Sequence, residues 1–336
     1  MSILDSIVAR ARKHASHIVL CEGQDPRIQQ AAARIVAEGI ARISLVGDAR
    51  AIAECASQGN VNLDNVQIID PQSSSLIPQF AETLYQLRAA KGMTREQALQ
   101  AVFDPLCFAN LMVHSGLADG SVAGAVHTTA NVVRTALQII GKAPETRTVS
   151  SFFLMLFDKP WHPCPGGMIF SDCGLVIDPD EEQLADIALA AAESARHLLG
   201  EEPRIAMLSF STAGSASHPL VDKVINASKR VQQARPDILI DEDLQLDAAL
   251  RPEITLRKLP ASKVQGRANV LVFPDLSAGN IGYKLVEHIG GAVAIGPLLQ
   301  GLNRPTNDLS RSCSANDIYY VIAVTALQSA SNNQPP

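Results

Sequence analysis

Short apolar runs alternate with longer amphipathic stretches along almost the whole chain. The runs at 18–20, 43–46 and 121–126 are short and aliphatic, as is typical of buried strands. Stretches with helical periodicity follow the first and the last of these runs, at about 27–38 and 130–140. Strands that alternate with helices predict parallel sheets that are covered by helices on both faces. The pattern therefore predicts an α/β protein.

The alternation is interrupted near the middle of the chain. A Gly-Lys-Ala-Pro sequence at 141–144 ends one helical stretch, and a new apolar run covers 150–157. A segment rich in proline and glycine, 159–167, joins that run to another at 168–176, so we predict a β-hairpin there. A second α/β unit follows. Its elements and the last helix are predicted at 181–199, 205–210, 218–234, 238–240, 270–273, 280–289 and 315–327.

Composition and charge narrow the classes of protein. The 336 residues are about twice a usual domain length, and the chain is 47% hydrophobic and 18% charged, which excludes disordered and fibrous proteins. Aromatic residues make up 4%, which argues against a base-stacking nucleic-acid surface. The net charge of −6 has the wrong sign for a general polyanion binder. We therefore expect no nucleic-acid partner, and any anionic substrate must be held by a few local arginines.

The cysteines and the N-terminus indicate a cytoplasmic protein. The six cysteines are scattered without a C-x-x-C pair, which favours reduced thiols over a disulfide framework. Charges at Asp5, Arg10 and Arg12 leave no room for the apolar core of a signal peptide. No stretch approaches the roughly 18 consecutive apolar residues of a membrane span. We expect a cytoplasmic location and no membrane partner.

The motifs of several common enzyme classes are missing. The sequence contains no G-x-G-x-x-G, no G-x-x-x-x-G-K-[ST] and no G-x-S-x-G. Its eight histidines show neither H-E-x-x-H nor another ligand-like spacing. These observations argue against the common nicotinamide, nucleoside triphosphate, esterase and zinc enzymes, and we expect no metal site.

A polar segment precedes the last predicted helix. It runs from Asp308 to Asp317 with the sequence DLSRSCSAND. Ser314 and Asp317 have the spacing of a capping box that opens the helix. Capping leaves Ser310 and Arg311 unexplained, because they lie just before the helix, where backbone N–H groups and a guanidinium can hold an anion together. The spacing is compatible with both interpretations.

Two further segments carry candidate anion-binding residues. The sequence HTTANVVR, from His127 to Arg134, joins a predicted strand to a predicted helix. Its Thr128 and Thr129 hydroxyls can bind a ligand or cap the helix. Arg88 and the Lys-Gly pair that follows soon after it show the pattern of a helix C-terminus, where cations meet the helix dipole. Spacing alone favours the structural role in both segments.

Taken together, these segments resemble the phosphate acetyltransferase (phosphotransacetylase) family. The resemblance runs over essentially the whole chain. Its segments lie at 121–141, 265–284, 290–301 and 307–311. The sequence LPASKVQG at 259–266, together with Thr-Ala-Asn at 129–131, is most similar to the short, ethanolamine-utilisation-type branch of that family.

The resemblance implies two three-layer α/β domains with an interdomain cleft, as in isocitrate and isopropylmalate dehydrogenases. It implies that the C-terminal helix returns to the first domain, so the expected domains are 1–143 with 296–330, and 144–295. It also implies a homodimer that interconverts acetyl-CoA plus phosphate with CoA plus acetyl phosphate. CoA and acetyl-CoA are then substrates, and no tightly bound cofactor is expected. Stimulation by a monovalent cation stays open, as does the choice between acetate and ethanolamine metabolism.

Site residues of the family match positions of this sequence. Arg88, Arg134 and Arg311 match arginines at the substrate site. Ser310 matches a serine that hydrogen-bonds near the reacting acyl group, and Asp317 matches the proposed base.

Other positions match the family less closely, and two of them differ from its usual residues. Arg27 matches another substrate-site arginine, and Thr128 and Thr129 are expected to bind substrate. Ser312 stands where the family usually has glycine, and Asn131 replaces an aspartate that is common in the acetate-fermenting branch.

These matches imply direct acetyl transfer in a ternary complex. Asp317 would accept the thiol proton, Ser310 would support the oxyanion, and the arginines would hold phosphate. Because an aspartate among arginines has a lowered pKa, Asp317 would be a weak base unless burial counteracts them. The alternatives are a phosphate butyryltransferase that prefers longer acyl groups, a decarboxylating dehydrogenase of the isopropylmalate type, and a non-catalytic acyl-phosphate sensor or scaffold.

Overall fold

The computed structural model describes residues 2–162 and 164–332 and divides the chain into two compact units. The first unit contains Ile3–Pro144 and the chain from Leu302 onward, and the second contains Glu145–Gly301. The chain returns to the first unit after an eight-residue strand, Val293–Gln300, that pairs within the second unit. The domain boundary expected between residues 295 and 296 falls inside this strand.

The first unit is built on a parallel sheet of five strands. In chain order its elements are α1 (Ile3–Ala11), β1 (His17–Leu20), α2 (Pro26–Ala37), β2 (Arg42–Val46), α3 (Ala49–Gly59), β3 (Gln67–Ile69), α4 (Ile77–Arg88), α5 (Arg95–Ala101), α6 (Pro105–His114), β4 (Gly120–Ala123), α7 (Thr129–Ile139), and then, after the second unit, β11 (Thr306–Asp308) and α13 (Ala315–Asn332). The strand order is β11-β4-β1-β2-β3. All four pairings are parallel, so the carboxyl ends of β11, β4 and β1 lie side by side at one edge.

Helices pack over this sheet in two groups. α13 packs against α1 and α2 and over β1 and β4, whereas α6 packs against α4 and α7 and over β1 and β2. Every residue from Leu106 to Val113 of α6 is buried, which explains why this helix is apolar on all sides except at Asn110, whose amide donates to the Leu106 carbonyl. The buried helix supports the strands from which the candidate site is built.

The second unit contains a mixed sheet of six strands. Its elements are β5 (Ser150–Phe157), β6 (Gly166–Ser171), α8 (Glu181–Leu199), β7 (Arg204–Leu208), α9 (Pro219–Ala234), β8 (Leu239–Leu244), α10 (Leu246–Leu250), α11 (Pro252–Lys258), β9 (Val270–Val272), α12 (Leu276–His288) and β10 (Val293–Gln300). The strand order is β10-β5-β6-β9-β7-β8. β5 is antiparallel to both of its neighbours, and the predicted hairpin is therefore confirmed as β5–β6.

The architecture confirms the predicted α/β class, with one parallel and one mixed sheet. All six cysteines lie within the described residues and are free. Among the described residues, no helix combines the length and the apolar character that crossing a bilayer requires.

Two strands end at other residues than predicted, and in both cases carboxylate side chains accept hydrogen bonds there. β4 ends at Ala123, short of the predicted 126, because the following amides bind a carboxylate instead of another strand. β8 extends to Leu244, beyond the predicted 240, because its Asp241 and Asp243 are buried hydrogen-bond acceptors. The helices α1, α10 and α11 and the strand β11 were not predicted.

Candidate active site

Polar turns follow three neighbouring strands at one edge of the first sheet. We call them the β1 turn (21–25), the β4 turn (124–128) and the β11 turn (309–314). Ligands of open α/β sheets bind at the carboxyl ends of the strands. The predicted residues Thr128 and Ser310 lie on two of these turns, and α7 and α13 begin where the same two turns end.

A buried carboxylate holds the β4 turn. Glu22 is 7% exposed, and its oxygens accept hydrogen bonds of 2.8–3.2 Å from the backbone N–H groups of the four consecutive residues 124–127. The Nδ1 atom of His127 lies 2.8 Å from the same carboxylate. Burial opposes the charged form, but the hydrogen bonds from His127 and the amides outweigh it and hold the pKa of Glu22 below its ordinary value. The contact with Glu22 raises the pKa of His127.

The same cluster contains three potential metal donors. Atoms of Cys21, Glu22 and His127 lie within 4.8 Å of one another. The Glu22 oxygens, however, are already engaged with the four amides and the imidazole. Burial holds the pKa of Cys21 well above its ordinary value, which opposes the thiolate that a metal would need. These contacts account for the cluster, and we assign no metal to it.

Arg27 joins the three turns. Its Nε and Nη2 donate to the Asp25 carboxylate at 3.0 and 2.8 Å, and Nη2 also donates to the Ala125 carbonyl at 2.9 Å. Its Nη1 donates to the carbonyls of Arg311 and Cys313 at 2.8 and 2.9 Å. A guanidinium has five N–H groups, and all of them are used. The structure thus gives Arg27 a positioning role, and substrate binding by Arg27 stays a prediction.

The β11 turn presents hydroxyls and a guanidinium. The Ser310 and Ser312 hydroxyls lie 2.8 Å apart, and both side chains are exposed. Ser312 has no positive φ, so the backbone here does not require the glycine that the family usually has. The Arg311 side chain is exposed and makes no hydrogen bond within the described part of the chain. This turn can therefore offer Arg311 and Ser310 to an anionic ligand.

The capping box predicted for α13 is present. Asp317 Oδ2 accepts hydrogen bonds of 2.8 Å from the backbone N–H and the hydroxyl of Ser314, and the Ser314 hydroxyl accepts one of 3.2 Å from the Asp317 backbone N–H. These reciprocal contacts satisfy N–H groups at the start of the helix. The structure therefore gives Asp317 a capping role, and its role as the base stays a prediction.

Asp308, the last residue of β11, is buried without a partner. Its exposure is 0%, and neither carboxylate oxygen has a hydrogen-bond partner among the described residues. Burial raises the pKa of Asp308 to about 7, although the Thr129 hydroxyl and the Leu309 amide are near enough to favour its charged form. Burial therefore works against the charged form of this carboxyl group.

The start of α7 carries the predicted threonines. Thr128 caps the helix by accepting a hydrogen bond of 3.3 Å from the Asn131 backbone N–H, so the capping role is confirmed. Thr129 is exposed at the first helical position. Arg134, one turn further on, donates to the Asn131 side chain. Asn131, which replaces the aspartate that is common in the acetate-fermenting branch, therefore contacts Arg134, which is predicted to bind phosphate.

Arg88 lies on a different element, at the end of α4. It ends α4, as its pattern predicted, and Gly92 closes the following short 3-10 turn with a φ of 88°. α4 packs against α7, but within the described residues no hydrogen bond or ion pair joins Arg88 to the other predicted residues. Its role in binding substrate stays a prediction.

Comparison with known proteins supports one class of chemistry. A family model described as phosphate acetyl/butaryl transferase matches residues 2–326. The chain is 50% identical to the phosphate acetyltransferase of Paracoccus denitrificans over 98% of this chain and 99% of that protein. A phosphotransacetylase structure from Streptococcus pyogenes has a TM-score of 0.92 and 40% identity, over 98% of this chain and 100% of that one. The EutD phosphotransacetylase of Staphylococcus aureus has a TM-score of 0.89 and 38% identity, over 97% and 99%.

Proposed function

Because the chain belongs to the phosphate acetyl/butaryl transferase family and has the activity of a phosphate acetyltransferase, we propose that it transfers the acetyl group directly between CoA and phosphate. In a ternary complex the CoA sulfur attacks the carbonyl carbon of acetyl phosphate, the carbon–oxygen bond to phosphate breaks, and phosphate leaves. Membership of this family decides against the decarboxylating dehydrogenase and the non-catalytic sensor. The observation that carries the mechanism is that Arg311, with an exposed side chain, follows the exposed Ser310 on the β11 turn.

Arg311 is the proposed anchor for phosphate. Acyl phosphates react slowly with nucleophiles while the phosphate charge is unneutralised, and a guanidinium fork neutralises it with two parallel hydrogen bonds. The Arg311 backbone carbonyl is held by Arg27, which fixes the turn and leaves the side chain free of protein partners within the described residues. Arg134 and Arg88 are proposed to complete the binding of phosphate.

Ser310 is proposed to stabilise the oxygen of the tetrahedral intermediate. A hydroxyl donor that is fixed before the reaction stabilises developing negative charge better than water does. Ser312 lies 2.8 Å from the Ser310 oxygen and can orient its hydroxyl. A base beside the thiol also helps, because a free thiol with a pKa of about 8.5 is only a few per cent thiolate at neutral pH. For Asp317 to be that base, Oδ1 must act, because Oδ2 holds Ser314.

The acyl group is proposed to be acetyl, with butyryl as the alternative. We expect the rate of thioester formation, followed by absorbance with CoA and an acyl phosphate, to be at least about tenfold higher for acetyl than for butyryl phosphate, because two extra methylene groups must fit the same pocket. Equal or faster turnover of butyryl phosphate would assign the chain to the butyryl-transferring side of the family.

A homodimer is proposed, and an apolar stripe in the second unit supports it. Ile281, Leu285 and Ile289 are 58%, 52% and 80% exposed at four-residue spacing along and just beyond α12. Trp161, 69% exposed, lies near Gly291 at the end of this stripe. Apolar patches of this kind are typical of protein interfaces.

Replacing Leu285 by aspartate is expected to shift the protein from dimer to monomer, because a charge would be buried in the interface. Sedimentation velocity measures the shift. The matched control is Leu256→Asp on α11, where a leucine outside the α12 stripe is 69% exposed. A Leu285→Asp protein that remains dimeric at micromolar concentration would remove this face from the interface.

We also propose how the enzyme uses CoA, whether it needs a cofactor or metal, and in which compartment it works. CoA acts as a dissociable substrate, and the enzyme works without a tightly bound cofactor or metal. Its compartment is the cytoplasm, which is supported by the six free cysteines. Cell fractionation tests the compartment.

A further inference from the structure

One buried carboxyl group is left unused by the proposed roles. Asp308 is fully buried at the end of β11, and within the described residues neither of its oxygens has a hydrogen-bond partner. Buried polar atoms are almost always paired, so an unpaired carboxyl group beside a candidate site calls for a functional explanation. Building on the proposed acetyl transfer, we propose that Asp308, acting through the Thr129 hydroxyl, receives the proton that the CoA thiol loses, in place of Asp317, whose Oδ2 is engaged by Ser314.

The backbone provides a place for this carboxyl group beneath the start of α7. A Cβ atom at Gly124 would lie 2.3 Å from Asp308 Oδ1, so the absence of a side chain at that position creates the space. The Leu309 N–H group donates to the Ala123 carbonyl at 2.7 Å and thus holds the turn behind the carboxyl group. The Thr129 hydroxyl is near the carboxyl group, and its side chain is exposed. Thr129 therefore connects the buried acid to the surface on which substrate would lie.

The surroundings of Asp308 suit a proton acceptor at neutral pH. Burial is the largest influence and raises the pKa of Asp308 to about 7. The charged or titratable groups that face it are Glu22 and Cys21 beside β1, and Arg311 on the β11 turn. Glu22 opposes ionisation of Asp308, whereas Arg311 favours it. A general base works best when its pKa is close to the working pH.

The proton transfer balances in both directions. As sulfur bonds to the carbonyl carbon, the thiol proton passes to Thr129 Oγ while the Thr129 hydroxyl proton passes to the ionised Asp308. The bond between the carbonyl carbon and the phosphate oxygen breaks, and phosphate leaves with the bonding electrons. In the reverse direction, Asp308 returns its proton through Thr129 to the departing thiolate.

The pH profile of kcat tests the proposal. We expect a limb near pH 7 in the unmodified enzyme, which disappears in Asp308→Asn and in Thr129→Val because neither can pass the proton. kcat should fall about 10²-fold in both, with the KM for phosphate changed less than about threefold. Thr129→Ser keeps the hydroxyl and should retain the limb. Because Thr129 is exposed, its two variants decide the question even if Asp308→Asn fails to fold.

Thermal unfolding provides a readout that a merely structural role would not give. Because the pKa of folded Asp308 lies above its ordinary 3.8, the folded state resists ionisation, and its stability falls as the pH rises from about 4 to about 7. Asp308→Asn removes this penalty, so its unfolding midpoint should rise relative to the unmodified protein over that interval. A structural role predicts a lower midpoint at every pH.

The matched control is Asp241→Asn, a buried aspartate of the second unit that accepts hydrogen bonds from Ser262, Lys263 and Val264. It should lower the unfolding midpoint and keep the pH limb.

An Asp308→Asn enzyme that keeps the limb, or a Thr129→Val enzyme with unchanged kcat, overturns the proposal. Loss of the limb in Asp317→Asn alone would return the proton to Asp317. If Arg311→Ala also leaves turnover unchanged, the proposed function itself fails.

Discussion

Replacing Arg311 by alanine is expected to lower kcat/KM for acetyl phosphate by about 10²–10⁴-fold. A bidentate contact with phosphate comprises two charge-assisted hydrogen bonds, and each contributes about 1.5–3 kcal/mol, or about 3–6 kcal/mol together. A factor of ten in rate corresponds to about 1.4 kcal/mol. Steady-state kinetics with acetyl phosphate and CoA, followed through thioester absorbance, measures the effect.

The loss should not come from misfolding. Arg27 holds the β11 turn through the backbone carbonyls of Arg311 and Cys313, and these contacts survive removal of the Arg311 side chain. Arg311→Lys keeps the charge but not the fork and should retain intermediate activity. Arg50→Ala, an exposed arginine on α3, serves as the control and should leave kinetics unchanged. An Arg311→Ala enzyme with unaltered turnover and phosphate KM would contradict the assignment.

Replacing Glu22 by alanine is expected to lower the free energy of unfolding by about 3–5 kcal/mol. The four amides of 124–127 and the His127 imidazole would lose their common acceptor in a buried place. Because the β4 turn leads into Thr128 and Thr129, activity should fall together with stability. Thermal unfolding and turnover at the same temperature measure the two losses, and a decrease in the midpoint of about 10 °C is expected.

The contribution of the Glu22–His127 pair to the stability of the fold should be restricted to a range of pH. The pKa of folded Glu22 lies below its ordinary 4.5, so its contribution is present above about pH 4.5 and is lost as the pH falls through the lowered pKa. The pKa of folded His127 lies above its ordinary 6.5, so its contribution is present below about pH 6.5 and is lost as the pH rises through the raised pKa. The difference between the unmodified protein and Glu22→Ala should be largest between these limits.

Two variants distinguish the loss of the Glu22 hydrogen bonds from the mere loss of a negative charge. Glu22→Gln keeps one acceptor oxygen in the same place and should be less damaging than alanine. Glu54→Ala removes an exposed glutamate from α3 of the same unit and should change the free energy of unfolding by less than about 0.5 kcal/mol. If Glu22→Ala unfolds at the temperature of the Glu54→Ala protein, the carboxylate does not hold the β4 turn.

Local signals in the sequence predicted some elements almost to the residue. The helix predicted at 181–199 is α8, Glu181–Leu199, because its ends have local causes. Asp180 and Gln183 form a capping box at its start, and Gly200 adopts the left-handed conformation at its end. The same reasoning identified Thr128 as a cap and the Ser314–Asp317 capping box.

Long-range contacts account for what the sequence could not predict. Glu22 binds amides more than a hundred residues away, and a single acidic residue after a strand gives no sign of that. The burial of Asp308 depends on Gly124, and the full use of the Arg27 donors depends on carbonyls of two distant turns. Motif matches predicted Ser310 and Arg311 as site residues, and the structure places both on the β11 turn. Only tertiary structure reveals which arginines are already engaged by the protein.

The most direct test of the central claim is the affinity of inorganic phosphate for the unmodified enzyme and for Arg311→Ala, measured by calorimetry with Arg50→Ala beside them. We expect the dissociation constant of phosphate to rise at least tenfold in Arg311→Ala, since one guanidinium fork carries most of the contact, whereas Arg50→Ala should bind phosphate as the unmodified enzyme does. Equal phosphate affinity in all three proteins would show that phosphate binds elsewhere and that the β11 turn is not the site of acyl transfer.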